Sequence, residues 1–156
     1  MAETIRVFIE NEAGTDVKHH YDEETFEHLG TERVGADYPY PYGFVPGTLA
    51  PDGDAADCFV ITDRVLRSGD TVVCVPVALL EQTEGGTTDH DVLAVPAGEP
   101  APDLTGVTAE FGPFFDRFGG GDPSRRAAMG RLLPTGAARQ YLTDCAAAWE
   151  RRHTAT

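Results

Sequence analysis

The sequence predicts an α+β fold in which a small antiparallel β-sheet or barrel packs against two helices. Short segments rich in Val, Ile, Leu and Phe follow one another with turn residues and no helices between them, which is typical of antiparallel sheets and barrels. In two later segments, apolar residues recur every three or four positions, as in an amphipathic helix. At 156 residues, the chain is long enough for one core, and we expect a single domain over residues 1–156.

The predicted strands begin near the N-terminus. We expect Val7–Glu10 and Val17–Tyr21 to pair as a hairpin through a turn at Gly14. The acidic segment Asp22–Glu32 that follows has no assigned strand. Three further strands are predicted, separated by turns at Ser68-Gly69-Asp70 and Gly85-Gly86: Cys58–Thr62, Thr71–Leu80 and Val92–Val95.

The remaining segments are predicted as a stiff loop, two helices and a connector. Tyr38–Pro46 contains three prolines and three tyrosines, which favours an ordered loop. Helical spacing predicts a helix over Val107–Phe118, despite Gly112 and Pro113, and a second helix over Ala137–Arg152. The glycine-rich segment Gly119–Arg126 between them is predicted to be a flexible connector.

The overall charge limits the partners that we expect. The chain has 26 acidic and 12 basic residues and a net charge of −14, which repels nucleic acid and anionic membranes and favours cations. The three cysteines lie in or beside apolar segments at spacings that match neither a zinc site nor a disulfide framework. With no long apolar run, we expect a cytoplasmic protein with neither a membrane nor a nucleic-acid partner.

Acidic residues form two groups next to predicted strands. Asp52, Asp54 and Asp57 lead directly into the strand that begins at Cys58, and Glu84 and Asp89 lie in a turn between two predicted strands. Carboxylates at neighbouring strand ends can meet at one site and bind Mg²⁺, which takes oxygen ligands. The alternative is a pair of solvated acidic turns, which is common for such loops.

The segment Tyr38–Leu49 followed by Asp52–Asp57 resembles the tyrosine-proline segment and signature aspartates of the soluble inorganic pyrophosphatases of family I. The resemblance covers most of residues 7–118. It implies an OB-like β-barrel with two flanking helices and Mg²⁺-dependent hydrolysis of a small phosphorylated substrate, inorganic diphosphate, with Mn²⁺ as a substitute metal. It also implies a homo-oligomer, usually a hexamer in prokaryotic members.

The resemblance assigns roles to individual residues. It implies that Asp52, Asp57, Glu84 and Asp89 bind the metal, with Glu10 as an outer carboxylate. Asp54 is implied as the general base for the attacking water, Lys18 as a phosphate-binding cation and Tyr42 as a phosphate-contacting hydroxyl.

Several positions depart from the family's pattern. His20 replaces a glutamate, Gly30 falls near a missing arginine, Asp91 replaces a lysine, and Phe118-Gly119 replaces a tyrosine-lysine pair. The missing arginine and the missing lysines remove positive charge and predict low activity, unless other arginines compensate for them: Arg33, Arg64, Arg117, Arg125 and Arg126. Two alternatives stay open: an enzyme for an organic phosphate or diphosphate, with Phe118 against the larger substrate, and a catalytically silent metal-binding scaffold.

Overall fold

The computed structural model describes residues 3–84, 87–118 and 127–154, with the backbone alone described at positions 84, 87, 127 and 128. In chain order the elements are β1 (Ile5–Asn11), β2 (Val17–Tyr21), β3 (His28–Arg33), β4 (Tyr42–Val45), β5 (Ala56–Val60), β6 (Thr71–Glu84), β7 (Thr87–Thr88), β8 (Asp91–Pro96), α1 (Leu104–Arg117), β9 (Ala127–Pro134) and α2 (Thr135–Thr154).

Five strands close into a barrel in the order β1-β4-β5-β8-β6, because β1 also pairs with β6. Each of the five therefore has a neighbour on both sides. The predicted α+β barrel with two helices is confirmed. One pair differs from the antiparallel prediction, since β5 and β8 run parallel, with Asp57 opposite Asp91.

The predicted hairpin between the first two strands is wrong. β1 pairs with β4 and β6 inside the barrel, whereas β2 pairs with β3 in a separate two-stranded sheet. Val7 and Ile9 of β1 are buried in the barrel core, and burial of these side chains outweighs the proximity of β2 in sequence. The polar strand β3, which lies mainly within the acidic segment, has no apolar alternation that would identify it.

The predicted tyrosine-proline loop is correct only over its first residues. Tyr42–Val45 forms β4, and all four of its residues are buried. Gly43 allows β4 to approach β1 closely, because a Cβ atom at this position would lie 1.8 Å from the carbonyl oxygen of Phe8. The closing of the barrel at this point therefore depends on the absence of a side chain.

Both helices are confirmed: α1 begins three residues earlier than predicted and ends one residue earlier, and α2 extends two residues further at each end. α1 begins after Asp103, whose carboxylate accepts the N–H of Thr105 at 3.0 Å and so satisfies one of the unpaired donors at the helix start. Buried α1 residues such as Phe111 pack on one side of the barrel, and Ala138, Leu142 and Cys145 of α2 pack into the core formed by β1, β5 and β8. β9, which pairs with β6, was not predicted.

Two simpler expectations concern the cysteines and membrane spans. Cys58, Cys74 and Cys145 are free and buried, as predicted. None of the helices in the described part of the chain has the length and apolar character needed to cross a membrane.

We predict that Gly43→Ala destabilises the barrel. The added methyl group collides with the Phe8 backbone, which cannot move without breaking the β1–β4 pairing, and overpacking of this kind costs about 1–3 kcal/mol or more. The midpoint of thermal unfolding, followed by circular dichroism, should fall by several degrees.

Gly106→Ala is the matched control. Gly106 lies in α1, and a methyl group added there would meet no atom within 4 Å beyond its own helical backbone and chain neighbours, so alanine should be neutral or stabilising. Equal midpoints for the two variants would contradict the close-approach role of Gly43.

Candidate metal and phosphate site

Three carboxylates meet at one edge of the barrel. Oxygen atoms of Asp52, Asp57 and Asp89 all lie within 4.8 Å of one another. Asp52 belongs to the loop that enters β5, Asp57 is the second residue of β5, and Asp89 precedes β8. Because β5 and β8 are adjacent and parallel, their N-terminal ends lie at the same edge of the sheet, which brings the two acidic segments together.

The loop before β5 holds its carboxylates through its own hydrogen bonds. Asp52 Oδ1 accepts the N–H of Asp54 at 3.0 Å, and the carbonyl oxygen of Asp54 accepts the N–H of Ala50 at 2.7 Å. Gly53 has a φ of 93°, a conformation that favours glycine. The loop is therefore a compact turn that leaves its carboxylate oxygens available to a ligand.

A cavity of about 340 Å³ surrounds these carboxylates. Its described lining consists of seven acidic residues, seven aromatic residues and three other polar residues. The lining residues are Glu10, Glu23, Asp52, Asp54, Asp57, Asp89, Asp91, Lys18, His20, Gln82, Tyr21, Tyr38, Tyr42, Phe59, Phe114, Phe115 and Phe118. Every residue predicted for the site is thus at this cavity except Glu84, whose side chain lies outside the described residues.

Burial and neighbouring negative charge raise the pKa of several of these carboxylates. Burial raises the pKa of Asp57 well above its ordinary value, and the neighbouring Asp89 raises it further. Burial likewise raises the pKa of Asp52 to about 6 and that of Glu10 to about 7. Lys18 opposes the shifts at Asp57 and Glu10. A divalent cation would supply the missing positive charge, and the all-oxygen donor set fits Mg²⁺ or Mn²⁺.

Two tyrosines stack beside the acidic group. The rings of Tyr38 and Tyr42 lie 5.3 Å apart between centroids, and burial raises the pKa of both hydroxyls well above the ordinary value. Both therefore remain hydrogen-bond donors at neutral pH. The Tyr38 hydroxyl is buried and has no hydrogen-bond partner among the described residues.

Positive charge is scarce at the cavity. Lys18 is the one lysine or arginine among the described lining residues. Two residues along β2, His20 bonds through Nε2 to Glu32 Oε1 at 2.9 Å. Asp91, with 2% of its surface exposed, lines the cavity where the resemblance implies a lysine.

Three of the arginines considered as replacements for the missing cations do not line this cavity. Arg33 pairs with Asp16 at 2.7 Å, and Arg64 with Glu99 at 3.5 Å. Arg117 lines a different cavity, between α1 and the loop before Tyr38. Gly119, Arg125 and Arg126, together with the predicted flexible connector, lie outside the described residues.

Seven of the described lining residues were not predicted for the site from the sequence: Tyr21, Glu23, Tyr38, Phe59, Gln82, Phe114 and Phe115. Gln82 is buried in β6 but lies between Glu81 and Thr83, so no break in an apolar pattern marks it in the sequence. Glu23 follows β2 in an acidic segment and is indistinguishable in sequence from its exposed neighbours.

The chain is similar to known proteins of one family. The profile of a family described as "Inorganic pyrophosphatase" matches residues 7–150. An inorganic pyrophosphatase of Synechocystis is 39% identical over 99 residues, which cover 62% of this chain and 58% of that protein. The match therefore spans less than two thirds of that relative. One from Nanoarchaeum equitans is 31% identical over 142 residues, covering 83% of this chain and 87% of the relative.

A solved structure gives a fuller overlap. The inorganic pyrophosphatase from Coxiella burnetii superimposes with a TM-score of 0.84 at 26% identity, covering 95% of this chain and 96% of the other. The similarity thus includes the barrel and both helices.

We predict that metal affinity falls as the pH is lowered from about 8 to about 5.5. Asp52, Asp57 and Glu10 have raised pKa values, so at the lower pH the metal must displace their protons. Isothermal titration calorimetry with Mn²⁺ at both pH values measures the change in metal affinity. Equal affinities would contradict the protonation of these carboxylates.

The same pKa shifts predict how the stability of the metal-free protein depends on pH. Because the folded state raises these pKa values, it binds protons more tightly than the unfolded chain, and this stabilisation is lost as the pH rises through about 4 to about 7. Asp57→Asn should therefore unfold at a higher temperature than the parent protein at about pH 8 without metal, and should bind Mn²⁺ more weakly. A lower unfolding temperature would contradict this account.

Proposed function

Since the chain belongs to the inorganic pyrophosphatase family, we propose that it hydrolyses inorganic diphosphate to two phosphate ions with Mg²⁺ as cofactor. The observation that carries this proposal is the approach of Asp52, Asp57 and Asp89 to within 4.8 Å, in a cavity that Lys18 and Tyr42 also line. Clustered carboxylates can hold metal ions, and the cation and hydroxyl can hold phosphate oxygens.

The proposed metal ligands are Asp52, Asp57 and Asp89, with Glu10 and Glu84 as further carboxylates of the same centre. When bound, Mg²⁺ supplies a water of lowered pKa and neutralises phosphate oxygens. The raised pKa of Asp57, caused by burial and then by the negative charge of Asp89, supports this ligand set, because a bound cation would offset both effects. Mn²⁺ takes the same oxygen ligands and is the proposed substitute.

Asp54 is the proposed general base. It is exposed at the cavity, and its N–H is held by Asp52 at 3.0 Å. In the reaction, Asp54 accepts a proton from the attacking water, the water oxygen bonds to phosphorus, and the bridging P–O bond breaks. Lys18 and Tyr42 donate hydrogen bonds to phosphate oxygens, and Phe118 borders the substrate at the end of α1.

We further propose a cytoplasmic homo-oligomer, with a hexamer as the expected size. The family resemblance supports the assembly. The three free, buried thiols are compatible with a reducing compartment.

A second candidate is hydrolysis of an organic phosphate or diphosphate. The observation that favours it is the exchange of positive for negative charge at Asp91, in a cavity where Lys18 is the one described lysine or arginine. A substrate with less negative charge needs fewer cations, and Phe114 and Phe118 offer an apolar wall to an organic group. Phosphate release from phenyl phosphate and from a nucleoside diphosphate, compared with inorganic diphosphate, separates the two candidates.

We expect Asp54→Asn to reduce phosphate release from diphosphate by about 100-fold or more, because the amide cannot accept the water proton. Mn²⁺ affinity should change little, since the three clustered carboxylates remain. The exposed Asp63, which does not line this cavity, provides the control Asp63→Asn. Full activity in Asp54→Asn would rule out its role as the base.

We expect Asp91→Lys to raise diphosphate turnover by about 10-fold or more, because it reverses a charge at the phosphate-binding cavity. Asp91→Asn removes the negative charge without adding a positive one and should give a smaller gain. Thermal unfolding of both variants checks that the barrel remains folded. Unchanged turnover in folded Asp91→Lys would mean that other groups already balance the substrate charge.

A further inference from the structure

Glu23 contacts the segment that carries Asp52, Asp54 and Asp57 without belonging to it. Both of its carboxylate oxygens accept the backbone N–H of Ala55, at 3.0 and 3.1 Å. Ala55 is 4% exposed, so bulk water has little access to replace this contact. Since a buried N–H without an acceptor costs free energy, the loop conformation depends on Glu23.

The position of Glu23 is electrostatically unfavourable. The side chain lines the acidic cavity, and burial raises its pKa, with Asp54 and Asp52 raising it further. The hydrogen bond from Ala55 acts in the opposite direction and lowers the pKa. The carboxylate is therefore held among like charges by its contact with the loop backbone.

Several hydrogen bonds close the turn that carries Glu23. Asp22 Oδ1 accepts the N–H groups of Glu24 and Thr25 at 2.9 and 2.8 Å. Across the turn, the N–H of Asp22 donates to the Glu27 carbonyl and the N–H of Phe26 donates to the Asp22 carbonyl, both at 2.8 Å. These bonds hold the backbone of the turn, and with it the point from which the Glu23 side chain reaches Ala55.

α2 holds both the turn and the start of the metal loop. His153 Nε2 bonds to Glu24 Oε1 at 2.7 Å, and the His153 ring stacks on Trp149 with centroids 3.9 Å apart. The N–H of Leu49, just before the acidic loop, donates to the carbonyl of Cys145 in α2 at 2.9 Å. The loop is thus fixed at Leu49 by α2 and at Ala55 by Glu23.

We propose that Glu23 is a positioning residue for the metal centre. By holding Ala55, it fixes the segment between Asp54 and Asp57, and therefore the directions in which these two carboxylates point. The inference rests on the proposed function for its activity readout, but its metal-binding and backbone readouts are independent of the substrate.

Substitutions that change the side-chain length and the charge of Glu23 separately distinguish a positioning role from a charge effect or metal ligation. Glu23→Gln keeps the side-chain length and a carbonyl oxygen that accepts the N–H of Ala55, but removes the charge. Glu23→Asp keeps the charge and shortens the reach. Glu23→Ala removes both, and Glu27→Ala is the matched control, since Glu27 is an exposed acid on the same turn.

Three measurements test the proposal: hydrogen exchange of the Ala55 amide by NMR, Mn²⁺ affinity by electron paramagnetic resonance, and phosphate release from diphosphate with Mg²⁺. In Glu23→Ala and Glu23→Asp, we expect Ala55 to exchange about 10-fold faster or more and Mn²⁺ to bind about 10-fold more weakly, equivalent to about 1.4 kcal/mol. Glu23→Gln and Glu27→Ala should stay within about 3-fold of the parent protein in both quantities.

Each result has a defined meaning. If Glu23→Gln binds Mn²⁺ as weakly as Glu23→Ala, Glu23 acts through its charge or as a metal ligand, and the positioning role is overturned. Unchanged Ala55 exchange in Glu23→Asp or Glu23→Ala also overturns it. If exchange and metal affinity change as expected while the parent protein releases no phosphate from diphosphate, the positioning role stands and the proposed substrate is wrong.

Discussion

Repulsion between carboxylates in a confined cavity is the constraint on which the site depends. Asp52, Asp57 and Asp89 lie within 4.8 Å of one another, and burial together with neighbouring negative charge raises the pKa of Asp57 and Asp52. Such an arrangement costs stability unless protons or cations offset it. The fold must therefore hold these residues in place against their own repulsion.

The barrel provides that support through backbone contacts. The parallel β5–β8 pair fixes the separation of the two acidic segments, and ring closure through β1 and β6 leaves these strands without a free edge. Backbone hydrogen bonds from Ala55 and Leu49 attach the loop to Glu23 and to α2. Each contact acts on the backbone of the loop, so the carboxylate oxygens stay available for a cation.

The charge balance of the cavity differs from the one that the family resemblance implies. Asp91 adds a carboxylate, His20 is bonded to Glu32, and Lys18 is the one lysine or arginine on the described wall. Metal ions would therefore supply a larger share of the positive charge that a phosphate needs. The same balance disfavours highly charged substrates, which is why substrate charge is the property that separates the two candidate activities.

The sequence by itself determined the barrel strands β1, β5, β6 and β8, both helices and the proximity of the two acidic segments, because these depend on apolar periodicity and on local clustering of charge. Tertiary structure alone decided the pairing of β2 with the polar strand β3, the strand formed by Tyr42–Val45 and the contact of Glu23 with Ala55. Periodicity identifies strands that bury apolar side chains, but pairing is chosen by burial of the whole sheet. A glutamate 32 residues away from its backbone partner leaves no local pattern in the sequence, since only the folded chain brings the two groups together.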